Sequence, residues 1–287
     1  MWELASFVLK AVSYAVVLSA AGSALFLALF PTLNERECSR TVTTALGLAL
    51  MGSVLTAAAI PLRAGFLSGE GLGGMFEPFY LGMLFESTVG TSTKLRWLGL
   101  AMIGFVWLRR PLGYGIGALG ALLVVASFAL IGHTANLEAR MAGGLLIALH
   151  LLAVSYWIGA LWPLIGVSYA SDTSRVARVL ERFGTLAMVL VGALVLAGIA
   201  LAWLFIGEFS ALWESRYGNI LVFKLVAFAG LLTLAGLNRF RLVPRFAANV
   251  PGSSAALRRS IVSEVIAVGI ILTITAVLTT YSSPFEQ

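Results

Sequence analysis

The run Phe183–Ile206, FGTLAMVLVGALVLAGIALAWLFI, carries no charged residue over its whole length. A hydrocarbon core about 30 Å thick needs roughly 20 apolar residues in helical form, so this run alone can span a bilayer. Seven further runs flank it, at about 5–30, 41–62, 94–109, 113–133, 142–169, 217–237 and 260–281. They are long and show no alternation of period two, which makes them helices rather than barrel strands. The third is short, and its ends extend outward if Lys94 and Arg96 snorkel to the interface. The reading is an all-α membrane protein with eight transmembrane helices.

Composition agrees. Of 287 residues, 60% are hydrophobic and 11% charged, against about 25% charged in soluble domains. Mean hydropathy is +0.97. Soluble, disordered, fibrous and disulfide-rich classes are thereby excluded. The single cysteine, Cys38, allows no internal disulfide, CxxC pair or thiolate cluster. The net charge of +6 is read through loop placement rather than as nucleic-acid binding. The first run is not a cleaved signal peptide on this reading. Glu3 precedes it, no basic residue stands before Lys10, and the run is too long for an h-region.

Eight spans put both termini on one side. That side holds seven basic residues: Lys10, Arg63, Lys94, Arg96, Arg140, Arg216 and Lys224. The other side holds twelve, with five arginines and no acid in the segment 238–259. The excess of positive charge on cytoplasmic loops places both termini outside the cytoplasm.

An internal echo divides the chain. Glu86-Ser87-Thr88-Val89-Gly90 precedes Arg96 by the same interval at which Glu214-Ser215-Arg216-Tyr217-Gly218 precedes Lys224. Ala11-Val12-Ser13-Tyr14 in the first span is matched by Ala153-Val154-Ser155-Tyr156 in the fifth. Two four-helix halves follow, residues 1–133 and 134–287, related by an axis along the membrane normal as in parallel-repeat transporters. The first half has the long outer loop, 63–93, with a short amphipathic helix expected near 76–86.

Chemistry-bearing residues are few. The only histidines are His133, closing the fourth span, and His150, about eight residues inside the fifth. The two spans are joined by a tight outer loop, so they are expected to be neighbours. Ionisable groups in a span are functional candidates by default, and imidazole suits copper as well as zinc. The alternative is a pair of histidines that merely tie helices together. Met141 opens the fifth span and could add a soft thioether ligand; Met75 and Met83 lie in or beside the outer loop, and all three are equally readable as packing. Trp157 shares a helix face with His150, and Pro163 is placed to kink that helix. Glu86 and Glu214 are expected to pair with Arg96, Lys224 or Arg216, and Glu264 with an arginine of 238–259. No GxxxxGK[ST], HExxH, GxSxG or CPC pattern is present, which argues against nucleotide-driven pumps and common hydrolases.

Gly132-His133, then His150-Leu151-Leu152-Ala153 running into Trp157-Ile158-Gly159-Ala160-Leu161, resembles the CopD (PcoD) copper-resistance membrane proteins. Arg182-Phe183, Ala197-Gly198, Tyr217-Gly218, Lys224 and Asn238-Arg239 continue the likeness, which is detailed over about 130–247. The first half matches in span count and in the Gly90…Arg96 element. The resemblance implies a multi-pass bacterial inner-membrane protein, not an enzyme, that passes copper ions from periplasm to cytoplasm. It implies a separate periplasmic CopC-like copper-binding partner, and His133 and His150 as the copper-handling residues; Met141 is added as a candidate third metal ligand from its soft sulfur and its place at the start of the fifth span. The methionine- and histidine-rich clusters of many copper proteins are missing here. Three rivals stand beside this reading: a haem b redox protein with both histidines as axial ligands, a non-transporting copper chaperone or assembly factor, and a scaffold with structural histidines.

Overall fold

The computed structural model describes residues 2–131, 140–169, 172–206 and 211–281. All regular structure among them is helical: α1 Trp2–Leu29, α2 Glu35–Ser68, α3 Pro78–Glu86, α4 Thr88–Ile103, α5 Pro111–Ala129, α6 Arg140–Val167, α7 Thr173–Ile206, α8 Ala211–Glu214, α9 Arg216–Leu237, α10 Val243–Ala247 and α11 Ser253–Tyr281. Seven helical segments among the described residues are long and apolar enough to cross a membrane: α1, α2, α5, α6, α7, the α9–α10 segment and α11. The helix α4 carries Lys94 and Arg96 and falls outside that set, although a 3-10 turn, Gly104–Leu108, prolongs it.

Local signals set the helix ends. Asn34 caps α2: its side chain accepts from Glu37 N at 2.8 Å, and Glu37 Oε2 accepts from Asn34 N at 3.1 Å. The helix therefore begins at Glu35, ahead of its apolar run, and it ends at Gly69 in the left-handed region, φ 70°. Asp172 does the same for α7, accepting from Arg175 N at 3.0 Å. That backbone hydrogen bond holds the Asp172 carboxyl below the usual carboxylate range. The expected short helix near 76–86 is α3. It packs Leu84 against Ile60 and Ala64 of α2, while Phe79 stays exposed.

The repeated Ser-x-x-Gly element has a structural meaning. Ser87 caps α4, accepting from Val89 N, and Ser215 caps α9, accepting from Gly218 N. Each serine follows a short helix and starts a long one.

The core is built around α1, which packs on α2, α5, α6 and α11. Its inward positions are small, Ala20, Ala21 and Ala24, or fill gaps between neighbours, Phe26 and Leu27. Inside lipid, helix association rests on close van der Waals contact rather than on escape from water, so small residues decide where backbones meet. At the α1–α6 crossing a Cβ on Gly22 would lie 1.7 Å from the Ser155 carbonyl oxygen. A Cβ on Gly159 would lie 2.2 Å from the Gly22 carbonyl carbon. Gly99 and Gly120 make a second reciprocal crossing between α4 and α5. Helices α1 and α6 thus lie backbone to backbone.

The chain ends come together. The Phe7 and Tyr281 rings lie 5.9 Å apart, and Lys10 Nζ donates to the Thr279 carbonyl at 2.9 Å. At the opposite end Arg175 of α7 forks onto Glu37 of α2, with both N···O distances under 3 Å.

Candidate functional site

His150, one of the metal ligands expected from the sequence, is left chemically open by the fold. It sits ten residues into α6, roughly 15 Å from that helix's first residue. Its Nδ1 is buried and has no hydrogen-bond partner. Buried polar atoms are nearly always paired, so an unpaired imidazole nitrogen is an available ligand or acceptor position. Lys224 of α9 lies within electrostatic reach of it.

His133 lies outside the described residues. Met141 is described, and it does not join His150. It is 91% exposed. Nine residues at 100° each turn it to the opposite face of α6, about 13 Å along the axis. The two side chains therefore leave α6 on opposite faces. No group of three His, Cys, Asp or Glu side chains able to hold a metal ion occurs among the described residues. Met75 is half-buried and packs near Gly65, while Met83 is 44% exposed. Cys38 Sγ lies 2.9 Å from the Tyr114 hydroxyl at the opposite end of the bundle.

Arg96 and Glu264 differ from expectation. Arg96 does not pair with Glu86, which is exposed. Its guanidinium donates to Ser127 Oγ at 3.0 Å and Ser92 Oγ at 3.3 Å, and lies 3.9 Å from the Phe128 ring centre. These contacts let α4 carry a cation inside the bundle. The ion pairs among the described residues are Arg175–Glu37 and Arg175–Asp172.

Glu264 does not pair with an arginine of 238–259. It is 4% exposed. One carboxylate oxygen accepts from Trp157 Nε1 at 3.1 Å, and the other accepts from Asn238 Nδ2. The helix after α9 loosens into a π-helical turn, Asn238–Leu242, a form often found where a helix serves a functional site. That turn brings Asn238 to α11. The arginines go elsewhere: Arg239 donates to Thr185 Oγ1, and Arg258 donates to the Ser168 carbonyl and covers the Tyr169 ring. Trp157 thus spends its polar edge on Glu264. A Trp157→Phe variant is expected to lose about 1–3 kcal/mol, because a buried acceptor is left with one donor fewer. Thermal unfolding in detergent against wild type measures it.

The comparisons with known proteins follow this layout. The family model for the copper resistance protein D-like N-terminal domain matches residues 1–144, and the model for copper resistance protein D matches residues 177–278. The chain is 28% identical over 257 residues to the "Copper resistance protein D" of Pseudomonas syringae pv. tomato, covering 83% of each. It is 28% identical over 210 residues to the "Copper transport protein CutJ" of Bacillus subtilis (strain 168). That match takes in 68% of this chain but 37% of the relative. No solved structure matches. With both family models on one bundle of membrane-length helices, the chain belongs to the copper resistance protein D (CopD) family.

Proposed function

We propose that this protein carries copper ions across the bacterial inner membrane, from periplasm to cytoplasm, and that His150 with His133 receives the ion near the periplasmic face. The observation that carries the reading is the buried, unpartnered Nδ1 of His150, in a family named for copper resistance and with a relative named for copper transport. An imidazole of this kind offers a lone pair that no protein donor occupies.

The topology is eight crossings in two four-helix halves. Its support is the shared end of α1 and α11, marked by the Phe7–Tyr281 and Lys10–Thr279 contacts. Termini on one side require an even number of crossings. The α4 segment, with Arg96 shielded by two serines and a phenyl ring, is then the eighth. The twelve basic residues of the opposite end put that end in the cytoplasm and both termini in the periplasm. The protein acts as a carrier rather than an enzyme, and a separate CopC-like periplasmic protein delivers the ion.

Copper content of the purified protein, with His133→Ala and His150→Ala alongside, tests the site under reducing and oxidising conditions. About one copper per chain in wild type, falling toward none in each variant with unfolding temperatures unchanged, is the expected result. Copper missing from wild type, or equal in all three, overturns it. A haem spectrum in wild type replaces copper by the axial-ligand reading.

A further inference from the structure

Glu264 sits eleven residues into α11 and four residues, roughly 6 Å, inside the apolar run that begins at 260. It borders an open cavity of about 250 Å³ lined by α6, α7, α9, the π-helical turn, α10 and α11. The lining is apolar apart from Trp157, Asn238, Arg239 and Glu264 itself. No basic side chain pairs with this carboxyl among the described residues. Beside it the Asn238 carbonyl oxygen, Oδ1, is buried and without a partner.

We propose that Glu264 is a proton-exchange site, taking up and releasing a proton through this cavity with Asn238 as its hydrogen-bond switch. The geometry favours a proton over a metal cation. Hard cations need six or more oxygen ligands, and the cavity offers one carboxylate and one amide. Arg239 stands at the rim and repels a cation. A proton needs one acceptor and a neighbour that can follow it. As a carboxylate, Glu264 accepts from the Trp157 indole and the Asn238 amide. As a carboxylic acid it gains an O–H donor. A half-turn of the Asn238 amide then presents Oδ1, the orphaned acceptor, to that donor.

Few other groups compete. On α7 the cavity wall is Leu180, Phe183, Ala187 and neighbours without charge, and α6 contributes no titratable group. Arg239 is held toward α7, donating to the Glu181 carbonyl at 3.3 Å and to Thr185 Oγ1 at 3.2 Å. Gly184 makes room for it: a Cβ there would meet Arg239 Cδ at 2.8 Å. The guanidinium therefore straps the rim and leaves the carboxyl to its two neutral donors. Intramembrane carboxyls of this kind serve proton relays in other membrane proteins. The site is independent of the copper reading, because His150 does not line this cavity.

Dicyclohexylcarbodiimide tests it on the full chain in detergent micelles. The reagent adds a protonated carboxyl across its N=C bond and rearranges to an N-acylurea with nothing leaving, so only the acid form reacts. Labelling from mildly acidic to mildly alkaline pH, normalised to a lipophilic carboxylic acid in the same micelles, is read by peptide mass spectrometry. An adduct on the Glu264 peptide that falls about tenfold or more toward alkaline pH, and is missing from Glu264→Gln, is expected. No adduct at the acidic end means a fixed carboxylate, and a yield that ignores pH means a fixed acid. Either overturns the proposal. The wild-type profile decides even if Glu264→Gln fails to fold, and Asn238→Asp supplies a second variant, expected to alter the pH profile while keeping the adduct on Glu264.

Discussion

A Gly22→Leu variant is expected to lose the native packing of α1 on α6 and to fail as a monodisperse, cooperatively unfolding protein in detergent. The cause is backbone contact. Even a methyl group on Gly22 would stand 1.7 Å from the Ser155 carbonyl oxygen, and Gly159 meets Gly22 from the other side. Extra methylenes in a packed core cost about 1–3 kcal/mol when side chains can shift. Here the obstruction is a main chain, which can yield only if the helices part. Ser23 Oγ, which donates to the Gly159 carbonyl at 3.4 Å, would be drawn away with them. Gly22→Ala should lower the unfolding temperature clearly, and Gly22→Leu should abolish the transition. Gly47→Leu is the control, since a Cβ at Gly47 meets nothing within 4 Å. Equal behaviour of Gly22→Leu and Gly47→Leu in size-exclusion chromatography and thermal unfolding would refute the crossing.

The second large effect is expected at the opposite end of the bundle. Glu37 and Arg175 are 8% and 17% exposed, and the guanidinium forks onto both carboxylate oxygens at 2.7 and 2.8 Å. Bidentate pairs of this kind are strong and directional. Removing one partner of a buried pair leaves the other charge uncompensated and costs about 3–5 kcal/mol. Glu37→Ala also removes the reciprocal half of the Asn34 cap. Glu37→Ala is therefore expected to cost about 3 kcal/mol or more. The double variant Glu37→Ala/Arg175→Ala should cost clearly less than the sum of the single variants, since it strands no charge. Additive losses in chemical unfolding would show that the two side chains act separately, and the latch between α2 and α7 would be withdrawn.

Much of the bundle was legible in the residues. Apolar runs announced the long helices, because a bilayer demands length and apolarity from each helix separately. Helix ends were less legible. Both α2 and α7 begin several residues before their apolar runs, since Asn34 and Asp172 cap polar turns that hydropathy alone assigns to loops. The family likeness was readable in the second half. The family models extend it through the first, from residue 1 to 144.

The candidate site was only partly legible. His150 was flagged by its rarity in a span, and its open nitrogen emerged only with neighbours in place. Met141 looked like a partner because nine residues is a short distance along a chain. A helix turns that distance into the opposite face. Glu264 looked like the mate of a nearby arginine because sequence shows charge, not direction. The π-helical turn sends Asn238 to it and leaves Arg239 on α7.

The sequence by itself determined the solvent of this protein, its helical class and its family, all of which follow from residue identities read one segment at a time. The tertiary structure alone decided which polar groups meet. Each helix can rotate by 100° per residue, and its rotation is fixed by where small residues such as Gly22 and Gly159 let backbones touch. Once that crossing is set, a buried carboxyl, an indole and an amide far apart in the chain share one cavity.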